Sequence, residues 1–128
     1  MRIRNHVNPF TVQHRFKRQD YSQLFSEFSG SLDVEIGFGR GVFLRHYAKR
    51  HPERSFLGVE VRRQMVSILE GRLNEDYTNV RVVHGTGQAC FEDMLYDDSV
   101  SRVFIFHPDP WFKKKHHKRR VIQSSFLK

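Results

Sequence analysis

Short β-prone runs alternate along the chain with segments in which apolar residues recur at helical spacing. Residues 32–36 form a short β-prone run, Leu-Asp-Val-Glu-Ile, that stops at a glycine. From residue 40 to residue 50 the apolar side chains recur at helical spacing, and a His-Pro pair then ends the pattern. These patterns predict a first strand followed by a first helix.

The same order repeats in the rest of the chain. Residues 56–59 read as a buried strand that Glu60 closes, and residues 80–83 and 103–106 read as third and fourth strands. A weak helix is predicted between the last two, at residues 89–95. The second helix follows Glu60, with one apolar face formed by Met65, Ile68, Leu69 and Leu73.

This alternation predicts a doubly wound α/β fold of the Rossmann-like kind, with a parallel sheet, right-handed crossovers and helices on both faces. Ligands of such folds bind beyond the carboxyl ends of the strands. In this chain those ends carry the residues that are chemically unusual for a core: residues 35–41, Glu60, residues 84–88 and residues 107–111. We therefore expect the functional site at this edge of the sheet.

Charge is distributed unevenly along the chain. The net charge is +8, made up of +4 in residues 1–20, −3 in residues 21–112 and +7 in residues 113–128. A mildly acidic middle between two basic ends favours a polyanionic partner, RNA or DNA, bound through the termini. Ordinary solvated Lys and Arg side chains would be scattered more evenly.

The length of 128 residues suits one domain. We predict a basic N-terminal arm over residues 1–30 and an α/β domain over residues 31–128. The single cysteine, Cys90, allows no internal disulfide, no Cys-His zinc framework and no CxxC redox motif, which favours a reducing, cytoplasmic setting. No apolar run approaches the roughly 18 residues of a membrane span, so no membrane role is expected.

A glycine-rich loop follows the first strand, with Gly37, Gly39 and Gly41 in the spacing GxGxG. Glycines allow positive φ and a close approach of the backbone to a ligand. Glu60 comes 19 residues after the last glycine, near the spacing of an acid that binds a ribose diol, so an adenosine-bearing ligand is predicted. Glu35, just before the loop, would repel a pyrophosphate but attract the sulfonium and ammonium groups of S-adenosylmethionine.

A polar loop after the third strand offers two candidates for contact with the adenine. Thr86 and Gln88 can each donate and accept hydrogen bonds. A polar loop after a strand is also frequently only a turn. Both interpretations stay open at this point.

The most distinctive stretch runs from Phe106 to Arg120, FHPDPWFKKKHHKRR. Two prolines flank Asp109 and hold it on a stiff segment at a strand end, where we expect a functional acid. Trp111 suits base stacking and closure of the core equally. The basic run that follows suits phosphate contact. Its two adjacent histidines are poorly placed to share one ion, so no metal site is predicted.

The glycine loop with Glu60 resembles the cofactor motifs of class I methyltransferases. The block from residue 106 resembles the PDPW-x-K-(K/R)-(K/R)-H-H-K-R-R signature of bacterial tRNA (guanine-N7)-methyltransferases, and residues 4–9, RNHVNP, resemble that family's N-terminal arm. The resemblance implies transfer of a methyl group from S-adenosylmethionine to N7 of a guanine in tRNA, in the variable loop. It leaves open whether the protein is a monomer or a homodimer.

The resemblance and the residue patterns together give two groups of site residues. Asp109 is the expected catalytic residue and is also counted as a cofactor contact. The other expected cofactor contacts are Glu35, Gly37, Gly39, Gly41, Glu60 and Thr86. The expected substrate and tRNA contacts are Lys113, Lys115, His116, His117, Lys118, Arg119 and Arg120.

Two departures from the family pattern are visible. Members place an Asp-Ala pair after the third strand, where this chain has Thr86-Gly87 or, with a shift, Gln88-Ala89. Members also continue well past residue 128, so the chain is expected to lack the C-terminal part of the domain and could be inactive as it stands. A non-catalytic RNA-binding module is the main alternative. A nicotinamide-dependent oxidoreductase is the second, disfavoured by the GxGxG spacing and Glu35.

Overall fold

A computed structural model describes residues 16–73 and 75–106 of the chain. The strands are β1 (Leu32–Ile36), β2 (Ser55–Glu60), β3 (Val80–His84) and β4 (Val100–Ile105). They form one parallel four-stranded sheet in the order β3-β2-β1-β4. The α/β fold predicted from the alternation of apolar spacings is confirmed.

Helical segments precede or join the strands. They are α1 (Tyr21–Leu24), α2 (Val42–Arg50), α3 (Arg63–Glu70) and α4 (Gly87–Ala89), with a 3₁₀ turn at Glu75–Tyr77 and a π-helical turn at Cys90–Met94. The first predicted helix, α2, begins two residues late because its N-cap, Gly41, has a φ of 75°, outside the helical region. The weak helix predicted at residues 89–95 consists of α4 and the π-helical turn.

The two faces of the sheet carry separate apolar clusters, because successive side chains of a strand point to opposite faces. On one face, residues of α1 and the π-helical turn pack with Leu32, Val34 and Ile36 of β1. On the other face, α2 and α3 pack with Phe56 of β2 and Val82 of β3. Helices on both faces therefore bury this sheet, as predicted.

The apolar face of α3 differs from the predicted one. Met65 and Leu69 are buried, but Ile68 is 39% exposed and Val66 only 6% exposed. The prediction for Ile68 is wrong. Residues 65, 66 and 69 share the inward face, and Ile68 lies about 100° around the helix from the middle of that face. Val66 occupies the core position that was predicted for Ile68.

β4 lies at one end of the strand order and pairs with β1. It covers Val100–Ile105 rather than the predicted residues 103–106. No other described strand pairs with its free side, and it is incompletely covered: Val103 is 45% exposed, and Phe106, just beyond the strand, is 44% exposed.

The strand order fixes where the connections reverse direction. β2, which follows β1 through α2, pairs with one side of β1. β4 pairs with the other side of β1. In open α/β sheets the ligand crevice lies at this reversal, outside the carboxyl ends of the strands. In this chain Gly37 follows β1 at that point, and Phe106 follows β4.

A buried ion pair ties β1 to the residue before β2. Asp33 is fully buried, and Arg54 donates to its two oxygens from Nε and Nη2, both at 2.6 Å. Tyr47 of α2 donates its hydroxyl hydrogen to Asp33 Oδ2 at 3.3 Å. A charge is tolerated in a core when it is paired and hydrogen-bonded in this way. These three side chains join α2, β1 and the start of β2.

Part of the predicted N-terminal arm packs on the sheet. Tyr21, Leu24 and Phe25 are 7%, 7% and 1% exposed. The Tyr21 hydroxyl accepts a hydrogen bond from Tyr96 N–H at 2.9 Å and bonds Ser99 Oγ at 2.6 Å. The arm's boundary at residue 30 stays a prediction, and residues 1–15 lie outside the described range.

Candidate adenosine-binding site

The glycine loop lies at the carboxyl edge of the sheet, between β1 and α2. Gly37, Gly39 and Gly41 have φ angles of 75°, 59° and 75°, which glycine adopts without a Cβ clash. Gly37 N–H donates to Val59 O at 2.7 Å, and Gly41 N–H donates to Phe38 O at 2.9 Å. The loop therefore turns tightly with its backbone beside the end of β2.

Two glycines of this loop form a matched pair for mutation. Both have a φ of +75°, but a Cβ at Gly37 would meet nothing within 4 Å, whereas one at Gly41 would lie 2.6 Å from Leu69 Cδ2. We expect Gly37→Ala to lower the free energy of unfolding by about 1–2 kcal/mol through backbone strain. Gly41→Ala should cost roughly another 1 kcal/mol because of overpacking. Urea denaturation measures both; equal losses would contradict the packing role of Gly41.

Glu60, the last residue of β2, holds the loop in place. It is 3% exposed. Its Oε1 accepts Gly39 N–H at 3.1 Å, and its Oε2 accepts Arg62 N–H at 2.9 Å. The Arg62 guanidinium donates to the same two oxygens at 3.1 Å and 3.2 Å. These charge-assisted bonds orient the carboxylate, so the acid predicted at this position lies directly against the glycine loop.

Glu35 is a second buried acid at this edge. It is 2% exposed, and its Oε1 has no hydrogen-bond partner among the described residues. Burial first, and the negative charge of Glu60 second, raise the pKa of Glu35 from 4.5 to about 7. A buried acceptor without a donor is costly, which makes this carboxylate a candidate for ligand contact.

The raised pKa of Glu35 predicts a pH-dependent stability. The folded protein holds a proton that the unfolded chain releases between pH 4.5 and about 7. Stability therefore falls as the pH rises through this window, and above it the full cost is about 3 kcal/mol. Between about pH 5 and pH 8, we expect the stability of Glu35→Gln relative to the wild type to rise by about this amount.

Urea denaturation at a series of pH values measures this difference. Glu70→Gln, at an exposed position on α3, controls for the loss of one acid. If the stability difference between Glu35→Gln and the wild type stays constant with pH, the pKa of Glu35 is not raised.

The loop after β3 continues the same edge. Gly85 N–H donates to Glu60 O at 3.0 Å, and Thr86 Oγ1 accepts the backbone N–H three residues on, at 3.0 Å, as the N-cap of α4. Gln88 Nε2 donates to Glu92 Oε1 at 2.9 Å. Thr86 therefore has a structural task, and contact of Thr86 or Gln88 with adenine stays a prediction.

Two contacts at this edge could not be predicted from the sequence. Arg62 bonds Glu60, and the ring of Phe16 packs on Gly85, where an added Cβ would lie 2.5 Å from the ring. An arginine two residues after an acid resembles any surface cation in a sequence. Phe16 lies far from Gly85 along the chain, so only the folded structure brings the two together.

The other predicted site residues lie outside the described residues. They are Asp109, Lys113, Lys115, His116, His117, Lys118, Arg119 and Arg120. Their roles stay predictions. Within residues 16–73 and 75–106, no group of three or more His, Cys, Asp or Glu side chains is arranged to hold a metal ion. The helices in the same ranges are too short or too polar to cross a bilayer.

Comparison with known proteins gives one family and several relatives. The family Methyltransf_4, described as "Putative methyltransferase", matches residues 29–128. A tRNA (guanine-N(7)-)-methyltransferase of Pseudomonas fluorescens is 43% identical over 108 residues, which are 84% of this chain and 44% of the relative. A protein of the same name from Nitrosococcus oceani is 48% identical over 95 residues, 73% of this chain and 40% of the relative. The chain thus spans less than half the length of these curated relatives.

Proposed function

Because this chain belongs to the Methyltransf_4 family of methyltransferases, we propose that it is part of a cytoplasmic enzyme that methylates N7 of a guanine in the variable loop of tRNA, with S-adenosylmethionine as methyl donor. One observation carries the proposal. Two buried carboxylates, Glu35 and Glu60, lie against a positive-φ glycine loop at the carboxyl edge of a parallel sheet. The name of both relatives, tRNA (guanine-N(7)-)-methyltransferase, supports the guanine N7 of tRNA as the target.

The described residues fit a cofactor that carries both an adenosine and a positive charge. Glu60 is proposed to accept the two ribose hydroxyls, and the glycine loop allows close approach of its backbone to the ligand. Glu35 Oε1 is buried and receives no donor from residues 16–73 and 75–106, so it suits a cationic group. A nicotinamide dinucleotide would bring a pyrophosphate near these two carboxylates, which disfavours it.

The proposed chemistry makes few demands on acid–base groups. Guanine N7 has a lone pair and no proton to lose, so its attack on a methyl group needs no general base. The bound cofactor supplies that methyl group on a sulfonium. The protein must hold the two reactants in a near-attack geometry, and Glu35 and Glu60 would orient the cofactor for it. Asp109 is proposed to accept hydrogen bonds from the guanine edge or to offset the positive charge on the methylated ring.

The tRNA is proposed to bind through the basic residues beyond β4. Lys113 would contact the substrate, and the cations from Lys115 to Arg120 would contact phosphates. β4 ends at Ile105, at the reversal point of the sheet. The chain therefore passes Phe106 at the same edge that holds the glycine loop, which supports a substrate site beside the cofactor site.

Methyl transfer from labelled S-adenosylmethionine to unmodified tRNA, followed by nucleoside analysis, tests the proposal. The assay compares this chain with the product of the whole reading frame that contains it. Formation of 7-methylguanosine by either protein supports the proposal. If neither forms it although both bind tRNA, a non-catalytic RNA-binding module is favoured. Tighter binding of NAD than of S-adenosylhomocysteine would favour an oxidoreductase.

A further inference from the structure

We propose that Arg62 is a displaceable partner of Glu60: its guanidinium holds the carboxylate until the two ribose hydroxyls of the cofactor take its place. The inference rests on the adenosine site of the proposed function. It makes Arg62 a positioning residue, because it acts through Glu60 and not on the reacting atoms.

Among the described residues, four donors bond the Glu60 carboxylate. Two are backbone N–H groups, that of Gly39 at 3.1 Å from Oε1 and that of Arg62 at 2.9 Å from Oε2. The other two are Nη2 and Nε of the Arg62 guanidinium, at 3.1 Å from Oε1 and 3.2 Å from Oε2. Each carboxylate oxygen therefore bonds one backbone donor and one side-chain donor.

The guanidinium and a ribose diol compete for the same lone pairs. A carboxylate oxygen accepts about two hydrogen bonds, and a guanidinium fills a carboxylate with two parallel donors. A diol presents two donors to the same pair of oxygens. The backbone donor of Gly39 belongs to the glycine loop, and that of Arg62 belongs to the turn after β2. Neither N–H group can move away from Glu60 unless its own segment unfolds. The diol can therefore bind Glu60 only where the guanidinium bonds it now.

The Arg62 side chain can leave without crossing the core. It is 21% exposed, and its bonds of 3.1 Å and 3.2 Å are at the long end for hydrogen bonds to a carboxylate. Arg54 provides a comparison within the chain, because it bonds the fully buried Asp33 at 2.6 Å through both nitrogens. We expect the Arg54 pair to persist under conditions in which the Arg62 pair exchanges.

Charge makes the exchange selective. Without the guanidinium, Glu60 would face Glu35, the second buried carboxylate, whose pKa its charge already raises. Two buried like charges are unfavourable unless a cation compensates them. When the Arg62 guanidinium leaves, its positive charge is lost from the site. A ligand with a positive charge of its own replaces that charge, whereas neutral adenosine does not. The exchange therefore favours a ligand with a cationic group, such as the ammonium that S-adenosylmethionine and S-adenosylhomocysteine share, over adenosine.

NMR of the arginine side chains tests the displacement. The Nε–Hε signals of Arg62 and Arg54 are assigned by correlation to their backbone amides. On saturation with S-adenosylhomocysteine, verified by calorimetry, we expect the Arg62 signal to shift or broaden and the Arg54 signal to stay unchanged. If the ligand binds and the Arg62 signal does not change, the displacement is wrong but the cofactor site stands. If the ligand does not bind, the inference fails, whereas the proposed function is decided separately by the methyl-transfer assay on the product of the whole reading frame.

Binding affinity gives a second, independent measurement. Arg62→Leu removes the competitor for Glu60, so its affinity for S-adenosylhomocysteine at about pH 8 should rise roughly five-fold. Arg63→Leu, at the exposed next residue, removes the same charge and should leave the affinity unchanged. A loss of affinity in Arg62→Leu but not in Arg63→Leu would overturn the inference, because Arg62 would then assist binding.

Discussion

An Arg54→Leu variant is expected to lose about 3–5 kcal/mol of unfolding free energy, because it leaves the fully buried Asp33 charge without its cation. In the wild type, two bonds of 2.6 Å satisfy both carboxylate oxygens, and the Tyr47 hydroxyl adds a third at 3.3 Å. Of these donors, only Tyr47 remains after the substitution. Small domains hold about 5–15 kcal/mol in total, so this loss is a large share of the stability and urea denaturation should find a clearly lower midpoint.

A double variant separates the unpaired charge from general disruption. Asp33→Val combined with Arg54→Leu removes both charges and should recover most of the loss, to within about 1 kcal/mol of the wild type. Arg50→Leu, at the exposed end of α2, should change stability by no more than about 0.5 kcal/mol. If the double variant is as unstable as Arg54→Leu, the loss comes from packing and not from the buried charge.

Replacing Asp109 by alanine is expected to lower methyl transfer to tRNA by about 10²–10³-fold. The proposed role of this carboxylate is to stabilise charge that appears on the guanine as it is methylated, so its removal acts on the transition state. Affinity for S-adenosylhomocysteine should change by only a few-fold. Single-turnover transfer at saturating tRNA, with the cofactor affinity measured separately by calorimetry, gives both quantities.

Asp109→Asn separates charge from hydrogen bonding at this position. The amide oxygen still accepts a hydrogen bond but carries no formal charge. A transfer rate as low as that of Asp109→Ala would mean that the charge is needed, and a restored rate would mean that acceptance from the guanine edge is enough. Equal losses of transfer rate and cofactor affinity in Asp109→Ala would make Asp109 a cofactor residue instead.

Local pattern was enough to locate most of the sheet. β1, β2 and β3 are short β-prone runs between turn residues. β4 was placed too late because its first half is largely exposed and carries polar side chains. Its exposed Ser101 and Arg102 hide the start at Val100.

The glycine loop and Glu60 could be placed because parallel strands align their carboxyl ends at one edge. The partners of the buried acids could not be predicted, since Arg54 and Arg62 look like ordinary solvated cations in the sequence. The wrong assignment of Ile68 has a similar cause. Helical spacing identifies an apolar stripe, but packing against β2 and β3 decides which side of that stripe is buried.

The buried carboxylate of Glu35 could serve to locate the binding site by selection alone. An acid that weakens the fold at neutral pH is kept only if something other than folding requires it. In a random library sorted for protease resistance near pH 8, neutral residues should accumulate at position 35. Sorting the same library with the cofactor present should restore the acid. At some positions the residue type selected without the cofactor will differ from the type selected with it. These positions would outline the site without any assay of methyl transfer.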